Sequence, residues 1–153
     1  MSDSAEVTGL DHAEAMALAF RYADLINQSK YDDMGEVFAA DAEWQLQGLQ
    51  PIVGLTEIIA KMHEIRSEKI HFQVLQGGEV LLDGDGGAGR WYVAEYGVLD
   101  EEHDYHLIAV YDDLLVRTRD GWRFRRREFR LLHRAKHPRA GKFYPVPPRP
   151  TAR

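Results

Sequence analysis

The chain has 153 residues, which is enough for one domain with a sizeable core, and its hydrophobic fraction of 44% is ordinary for a globular protein. It contains no cysteine, which excludes a disulfide framework, a thiolate nucleophile and a cysteine metal site. The net charge of −6 is unevenly distributed, because residues 1–113 hold 6 basic and 23 acidic side chains whereas residues 114–153 hold 13 and 2.

The first part of the chain predicts helices. Asp11 and Glu14 resemble a capping box, and the apolar residues that follow form a broad stripe without Gly or Pro. A short second helix is expected in "YDDMGEVFAA", after which "AEWQLQG" is typical of a strand. A third helix is predicted through "LTEIIAKMHEIRSE", where Ile58, Met62 and Ile65 have helical spacing.

After this helix the apolar pattern changes to a period of two. The segments "IHFQVLQ", "EVLLDG", "RWYVAEYGVLD", "DYHLIAVYDDLLVRT" and "GWRFRRREFRLL" predict strands, and "QGG", "DGDGGAG", "DEEHD" and "RDG" predict the turns between them. Helices followed by an antiparallel meander indicate an α+β fold.

The last predicted strand and the tail suggest a pocket. The apolar phase shifts from Trp122 and Phe124 to Phe129 and Leu131, which indicates a bulge that bends the sheet around the helices. The proline-rich end cannot continue a strand or helix and is expected to be extended. We therefore expect a flexible N-terminus at 1–9, a folded domain at 10–135 and an extended tail at 136–153.

Three motifs are expected to carry no chemistry. "GDGGAG" matches a dinucleotide-binding pattern but is followed by a strand instead of a helix, so it predicts a hairpin turn. The pairs His103/His106 and His133/His137 lack an obvious third ligand, and we expect no metal site. The basic C-terminal part is expected to lie against the acidic remainder of this chain or of a neighbouring one, with the arginines of its strand on a solvated face. We favour this interpretation over a nucleic-acid surface because the overall charge is acidic.

Several polar residues in the predicted strands could meet in the pocket. His71 shares a strand face with Gln73, which suits either a polar cavity wall or a solvent-exposed surface. Glu95 lies among apolar and aromatic residues, where a carboxylate is costly unless it is paired, so it is either an arginine partner or functional. One of Asp112 and Asp113 must face inward if their strand is central.

The combined pattern "RYADLINQSKYDDMGEVFAADAEWQLQG…GLTEIIAKM…IHF…GRWYV…YDDLLVRTRDGWRFRRREF" resembles the SnoaL-like proteins of the nuclear transport factor 2 superfamily, over about residues 10–132. It is most similar to the branch with scytalone dehydratase, hexachlorocyclohexane dehydrochlorinase and bile acid 7α-dehydratase. The resemblance implies a cone-shaped, curved antiparallel sheet wrapped around N-terminal helices, a nuclear transport factor 2-like α+β barrel. It also implies cofactor-free chemistry.

The resemblance implies roles for particular residues. His71 falls on a histidine that transfers protons, and its expected aspartate partner falls on Asn27, which can orient an imidazole but carries no charge. Another carboxylate, Glu95 or Asp112, could then replace that aspartate. The full implied set is His71, Asn27, Tyr22 and Glu95 for catalysis, and Trp44, Asp112 and either Arg127 or Arg117, with Arg127 preferred, for the cavity.

We therefore expect a small cofactor-independent lyase or isomerase, dehydratase-like, acting on a hydrophobic cyclic substrate such as a polyketide, steroid or terpenoid. His71 is the expected general base, Tyr22 a hydrogen-bond donor and Asn27 the orienting residue. The alternative is a non-catalytic ligand-binding protein or an accessory subunit, because Asn27 stands where a charge is expected. A third reading is epoxide hydrolysis, with Asp112, Arg127 and Glu95 loosely imitating an Asp–Arg–Asp cluster.

The expected partners are a small hydrophobic molecule and further copies of the chain, as a homodimer or homotrimer. The tail, with Phe143 and Tyr144, is expected to pack on the barrel or on a neighbour. The N-terminus is not typical of a signal peptide, and no apolar run approaches the roughly 20 residues of a membrane span. We therefore expect a cytoplasmic protein without membrane or nucleic-acid partners.

Overall fold

The computed structural model describes residues 6–66 and 71–152. The elements follow the chain as α1 (Gly9–Asn27), a 3₁₀ helix (Tyr31–Glu36), β1 (Phe38–Leu46), β2 (Ile52–Val53), α2 (Leu55–Arg66), β3 (His71–Asp83), β4 (Gly86–Val98), β5 (His103–Thr118) and β6 (Gly121–Pro138). In the described ranges, no helix combines the length and apolar character needed to cross a lipid bilayer.

The six strands form one sheet in the order β2-β1-β6-β5-β4-β3. All neighbouring pairs are antiparallel except β1 and β6, which run parallel, so the sheet is mixed. The predicted α+β class with a curved sheet around N-terminal helices is confirmed, although the sheet is open and not a closed barrel. The core lies between the helices and one face of this sheet, with Trp44, Trp91 and Trp122 among its largest buried side chains.

The first helix begins earlier than the sequence suggests. Thr8 is its N-cap, with the Asp11 backbone N–H donating to Thr8 Oγ1 at 3.2 Å and the Thr8 N–H donating to Asp11 Oδ2 at 2.8 Å. Asp11 therefore closes the capping box from the third helical position instead of starting it. The other Asp11 oxygen accepts from Trp122 Nε1 at 3.0 Å, which fastens the start of α1 to β6.

Two predicted elements differ from the structure. The second helix is only a 3₁₀ turn, because "FAA" already belongs to β1. The "QGG" turn does not form, and the two strands around it are the single strand β3, with an irregularity at Gly77. At Gly78 a Cβ would lie 2.3 Å from the Arg90 carbonyl oxygen, so this glycine permits close strand contact instead of a turn. The end of the third predicted helix, residues 67–68, lies outside the described residues.

The bulge predicted in the last strand is confirmed. The register of β5 and β6 shifts between Leu114 and Leu115, where Arg125 is the additional residue. This shift returns Arg127 to the buried face after Phe124. The strand also continues to Pro138, beyond its predicted end, by pairing with the start of β5.

Candidate functional site

His71 begins β3 and lies in a cross-strand row with Gly97 on β4 and Tyr105 on β5. Its side chain is only 8% exposed, and Nδ1 contacts the Tyr105 hydroxyl. Gly97 makes this contact possible, because a Cβ there would lie 2.5 Å from the Tyr105 ring. Because Gly97 has no side chain, the Tyr105 ring can pass over it and reach His71.

Glu95 lies next to this row, with 3.6 Å between Glu95 Oε1 and His71 Nδ1. Oε1 accepts from the Tyr105 hydroxyl at 2.7 Å, while Oε2 accepts from Gln73 Nε2 at 2.7 Å and from Arg66 Nη2 at 3.3 Å. Burial opposes ionisation, but the nearby His71 ring, the Arg66 charge and the Gln73 and Tyr105 donors hold the pKa of Glu95 well below its usual range. Glu95 is therefore a buried anion with its acceptors satisfied.

These contacts assign the protons between the three side chains. Burial and the charge of Glu95 raise the pKa of Tyr105 well above its usual range, so the phenol keeps its proton and donates it to Glu95. The phenol oxygen then accepts from His71 Nδ1–H, which leaves Nε2 without a proton in the neutral ring. Nε2 has no hydrogen-bond partner in the described part of the chain. The arrangement is that of an oriented imidazole whose Nε2 is buried and carries no proton in the neutral ring.

Asn27 does not orient His71, and that expectation is wrong. Its Nδ2 donates to the Gln73 carbonyl at 2.9 Å, and its Oδ1 accepts from the Gln73 backbone N–H at 2.7 Å. An amide matches both groups because it donates and accepts at once, which a carboxylate cannot do. Asn27 thus fastens the end of α1 to β3, and Glu95 stands beside the imidazole.

Two of the other predicted cavity residues lie in the core. Tyr22 is buried, with its ring edge against Tyr111. The fully buried Arg127 guanidinium lies 4.2 Å from the Tyr22 ring centre, 3.8 Å from that of Tyr111 and 4.3 Å from that of Phe124. These two residues stabilise the aromatic core by cation–π contact and do not line either cavity beside His71.

The expectation that Asp112 faces the cavity is wrong, because Asp113 is the aspartate of β5 that faces the core. Asp113 is buried with Oδ1 3.3 Å from Arg127 Nε, whereas Asp112 accepts from Arg90 at 2.6 and 2.8 Å on the outer face. Arg117, the alternative cavity arginine, pairs with Asp11 and stacks on Trp122.

The histidine pairs considered in the sequence are packed on the surface of the sheet. His106 stacks between His133 and His137 on the outer sheet face, with ring centres 5.6 and 5.4 Å apart. Among residues 6–66 and 71–152, no group of three or more His, Asp or Glu side chains is placed to hold a metal ion.

Two cavities flank the His71 network. The tail cavity, of about 390 Å³, is lined by residues 26–29 at the end of α1, by Tyr31, by His71 and Phe72, and by residues 143–146 of the tail. The inner cavity, of about 200 Å³, lies between the end of α2 and strands β1, β4, β5 and β6, and its wall includes Trp44, Arg66, Glu95 and Tyr105. Because His71 Nδ1 faces Tyr105, Nε2 on the opposite edge of the ring is directed away from it.

Tyr105, Gln73 and Arg66 were missed as site residues. Arg66 carried a signal, since it continues the helical spacing of Ile58 and Met62 and all three are buried on α2. Tyr105 was not recognisable as a partner because its contact depends on cross-strand register, which sequence periodicity does not specify.

Comparison with known proteins identifies relatives along most of the chain. The model of a SnoaL-like domain matches residues 8–128. The uncharacterized protein Rv2910c of Mycobacterium tuberculosis (strain ATCC 25618 / H37Rv) is 30% identical over 121 residues, which cover 76% of this chain and 82% of that protein.

Solved structures share the fold. Kfla4162 from Kribbella flavida superposes with a TM-score of 0.77 at 22% identity, over 82% of this chain and 93% of that one. The hexachlorocyclohexane dehydrochlorinase LinA-type3 from Novosphingobium barchaimii LL02 gives 0.73 at 20% identity, over 92% and 100%. A nuclear transport factor 2 superfamily protein from Salmonella enterica gives 0.73 at 13% identity, over 82% and 93%. At these identities the likeness establishes the architecture alone.

Proposed function

The chain belongs to the SnoaL-like domain family, and on that premise we propose that it is a proton-transfer isomerase or dehydratase-type lyase in which His71 is the general base. The observation that carries the proposal is the chain of contacts from His71 through Tyr105 to Glu95. It provides what a neutral imidazole needs to remove a proton from carbon, which is a fixed tautomer and a nearby negative charge.

In the proposed step, Nε2 of His71 accepts the substrate proton while Nδ1–H remains hydrogen-bonded to Tyr105. The imidazolium that forms lies 3.6 Å from the Glu95 carboxylate, which stabilises the new charge without becoming protonated. A positioned base of this kind contributes about 10² to 10⁴ in rate. The electron pair left on carbon moves into the adjacent substrate carbonyl to form an enolate. In an isomerase His71 returns the proton to another carbon, and in a lyase the enolate expels a β-hydroxyl group, which leaves as water with the proton from His71.

We place the substrate in the tail cavity, because His71 belongs to its wall. A volume of about 390 Å³ is within the range of small-molecule sites, and Ile26, Phe72, Phe143 and Val146 give it an apolar lining. Gln28 lies on the same wall with no partner for Nε2 among the described residues, so it is suited to donate to a carbonyl or leaving oxygen. A hydrophobic cyclic substrate of the polyketide, terpenoid or steroid kind fits this lining.

The proposal is tested with cyclic ketones that carry a β-hydroxyl group, supplied in deuterated water. We expect the protein to catalyse water loss or exchange of the carbon-bound proton, and His71→Ala to reduce either rate at least about 10²-fold. Mass spectrometry measures both reactions, and His12→Ala at an exposed position of α1 is the matched control. Equal rates in His71→Ala and the unaltered protein would rule out His71 as the base.

A second candidate is a non-catalytic carrier of the same ligands. It is favoured by the burial of Nε2, which has almost no contact with solvent, and by the tail lying over the cavity. Native mass spectrometry distinguishes the two functions. A carrier releases its bound ligand unchanged after long incubation, whereas an isomerase or lyase releases product.

A further inference from the structure

The inner cavity contains a buried cation that the proposed proton transfer does not use. Arg66 has only 9% of its side chain exposed, and its Nη2 donates to Glu95. Within the described residues, its Nε and Nη1 have no hydrogen-bond partner. Unpaired donors on a buried guanidinium are costly, so this wall of the cavity is suited to receive an acceptor.

The charges around the cavity favour an acceptor that is negative. Its charged lining residues are Arg66, Arg134 and Glu95, which together carry one net positive charge. Glu95 already accepts from Tyr105, Gln73 and Arg66, so its own charge is compensated. Arg134 lies on the same wall with its guanidinium 5.6 Å from the Tyr105 ring centre. A monoanion would bring the lining to neutrality.

The other residues of the cavity wall indicate the size and polarity of the ligand. Trp44, Ile65, Leu107 and Phe129 form apolar walls around the two arginines. The volume of about 200 Å³ is below the roughly 300 Å³ of sites for drug-sized ligands, so it suits a compound with one ring. We propose that the inner cavity is a binding site for a small single-ring organic carboxylate, held by Arg66 and Arg134. This site shares Glu95 and Tyr105 with the His71 network, but in the part of the chain that the structure describes it has no lining residue in common with the tail cavity in which the substrate is placed.

Benzoate is the probe, and benzamide is its uncharged counterpart of the same shape. We expect benzoate to bind in calorimetry at millimolar concentration and benzamide to bind at least about tenfold more weakly, because charge-assisted hydrogen bonds are lost. Methyl NMR identifies the cavity used. Shifts should occur at Ile65, Leu99 and Leu107 of the inner cavity and not at Ile26 and Val146 of the tail cavity.

Four variants assign the contacts. Arg66→Gln should weaken benzoate binding at least about tenfold, and the exposed Arg134→Gln should weaken it a few-fold. Arg130→Gln, a matched arginine on the outer face, should leave it unchanged. Phe143→Ala on the wall of the tail cavity should also leave benzoate binding unchanged, which separates this site from the proposed substrate position.

The anion site would be overturned by equal binding of benzoate and benzamide, by absence of benzoate binding, or by shifts confined to Ile26 and Val146. A folded Arg66→Gln protein that binds benzoate normally would also overturn it. If Arg66→Gln does not fold, the Arg134→Gln affinity and the NMR shifts decide. A loss of turnover in His71→Ala tests the proposed base, and weaker benzoate binding in Arg66→Gln tests the anion site, so either proposal can fail without the other.

Discussion

The sequence predicts that Glu95 needs a partner, but it does not predict which residues are its partners. A carboxylate among apolar and aromatic neighbours must be paired, and the structure gives it Arg66, Gln73 and Tyr105. The need for partners follows from composition, but their identity follows from strand register and from the buried stripe of α2. Asn27 shows the reverse case, because the sequence resemblance predicts a catalytic role for it, whereas its side chain hydrogen-bonds to backbone in the structure.

Replacing Asn27 with aspartate should reduce stability and should not restore a catalytic dyad. The substitution removes the donor to the Gln73 carbonyl and places a carboxylate beside that oxygen, at a cost of about 1 to 3 kcal/mol. Urea denaturation measures the change. Gln45→Glu, an amide-to-acid change that also alters donors to backbone carbonyls, is the control near β1 and should cost less because it is more exposed. Unchanged stability with higher turnover in Asn27→Asp would contradict the assignment.

Glu95→Gln should remove an acid-sensitive part of the stability. The folded-state pKa of Glu95 lies below its ordinary value of 4.5, so the folded state binds fewer protons and the carboxylate stabilises the protein fully above about pH 5. That contribution is progressively lost as the pH falls toward the folded-state pKa. We expect Glu95→Gln to cost about 3 kcal/mol near neutral pH and less near pH 3.

Urea midpoints across this pH range measure the Glu95 effect. Glu79→Gln, an exposed change on the neighbouring strand, should give a small difference from the unaltered protein that hardly varies with pH. A Glu95→Gln difference that stayed constant from neutral to acid pH would mean that the carboxylate is not a buried anion.

At the scale of elements, the alternation of apolar and polar residues and the turn residues predict most strands of the sheet. The elements that differ from the prediction depend on tertiary packing. The α1, α2, β4 and β5 segments follow their apolar periodicity. The glycines of "QGG" resembled a turn because glycine serves both turns and close strand contacts, and only the facing strand distinguishes these uses. Asp112 and Asp113 are adjacent, so they face opposite sides of β5. The sequence did not determine which of the two faces the core, because both are flanked by apolar residues.

Gly97→Ala should disturb the His71 network through β4. A methyl group at this position would meet the Tyr105 ring at 2.5 Å, so the ring must move away from His71. We expect a loss of about 1 to 3 kcal/mol and a fall in any activity that depends on His71. Gly86→Ala on the same strand is the control, because its nearest contact would be 3.8 Å. Thermal unfolding and turnover measure both variants, and equal behaviour would exclude Gly97 as the residue that makes room for Tyr105.

At the scale of the whole molecule, the uneven charge along the chain is balanced within the fold. Basic residues of the C-terminal part pair with acidic residues of the N-terminal part, as in Arg117–Asp11, Arg126–Glu43 and Arg149–Asp24. This arrangement matches the expectation that the basic strand lies against the acidic remainder. The uneven distribution of charge can be predicted from the sequence. The particular ion pairs cannot, because they depend on the strand order, in which β6 lies between β1 and β5.

Removing the tail after Gly141 should lower the melting temperature and open the cavity beside His71. The tail contributes residues 143–146 to the cavity wall, and Arg149 pairs with Asp24 at 3.5 Å. We expect a decrease of about 3 °C or more, since a loss near 1 kcal/mol shifts a chain of this size by a few degrees. A truncation after Pro150 is the control. Light scattering on the same samples tests the proposed dimer or trimer, and an unchanged melting temperature and mass would show that the tail stabilises neither the fold nor an assembly.

The contact between Asn27 and Gln73 also affects how the protein behaves in a crowded solution. β3 is at one end of the sheet order, so its outer backbone groups could accept a strand from another molecule. The amide of Asn27 occupies both the N–H and the C=O of Gln73, and α1 packs along the same strand. Asn27 therefore covers part of this sheet edge, and we expect its replacement by alanine to expose the Gln73 backbone groups to edge-to-edge association.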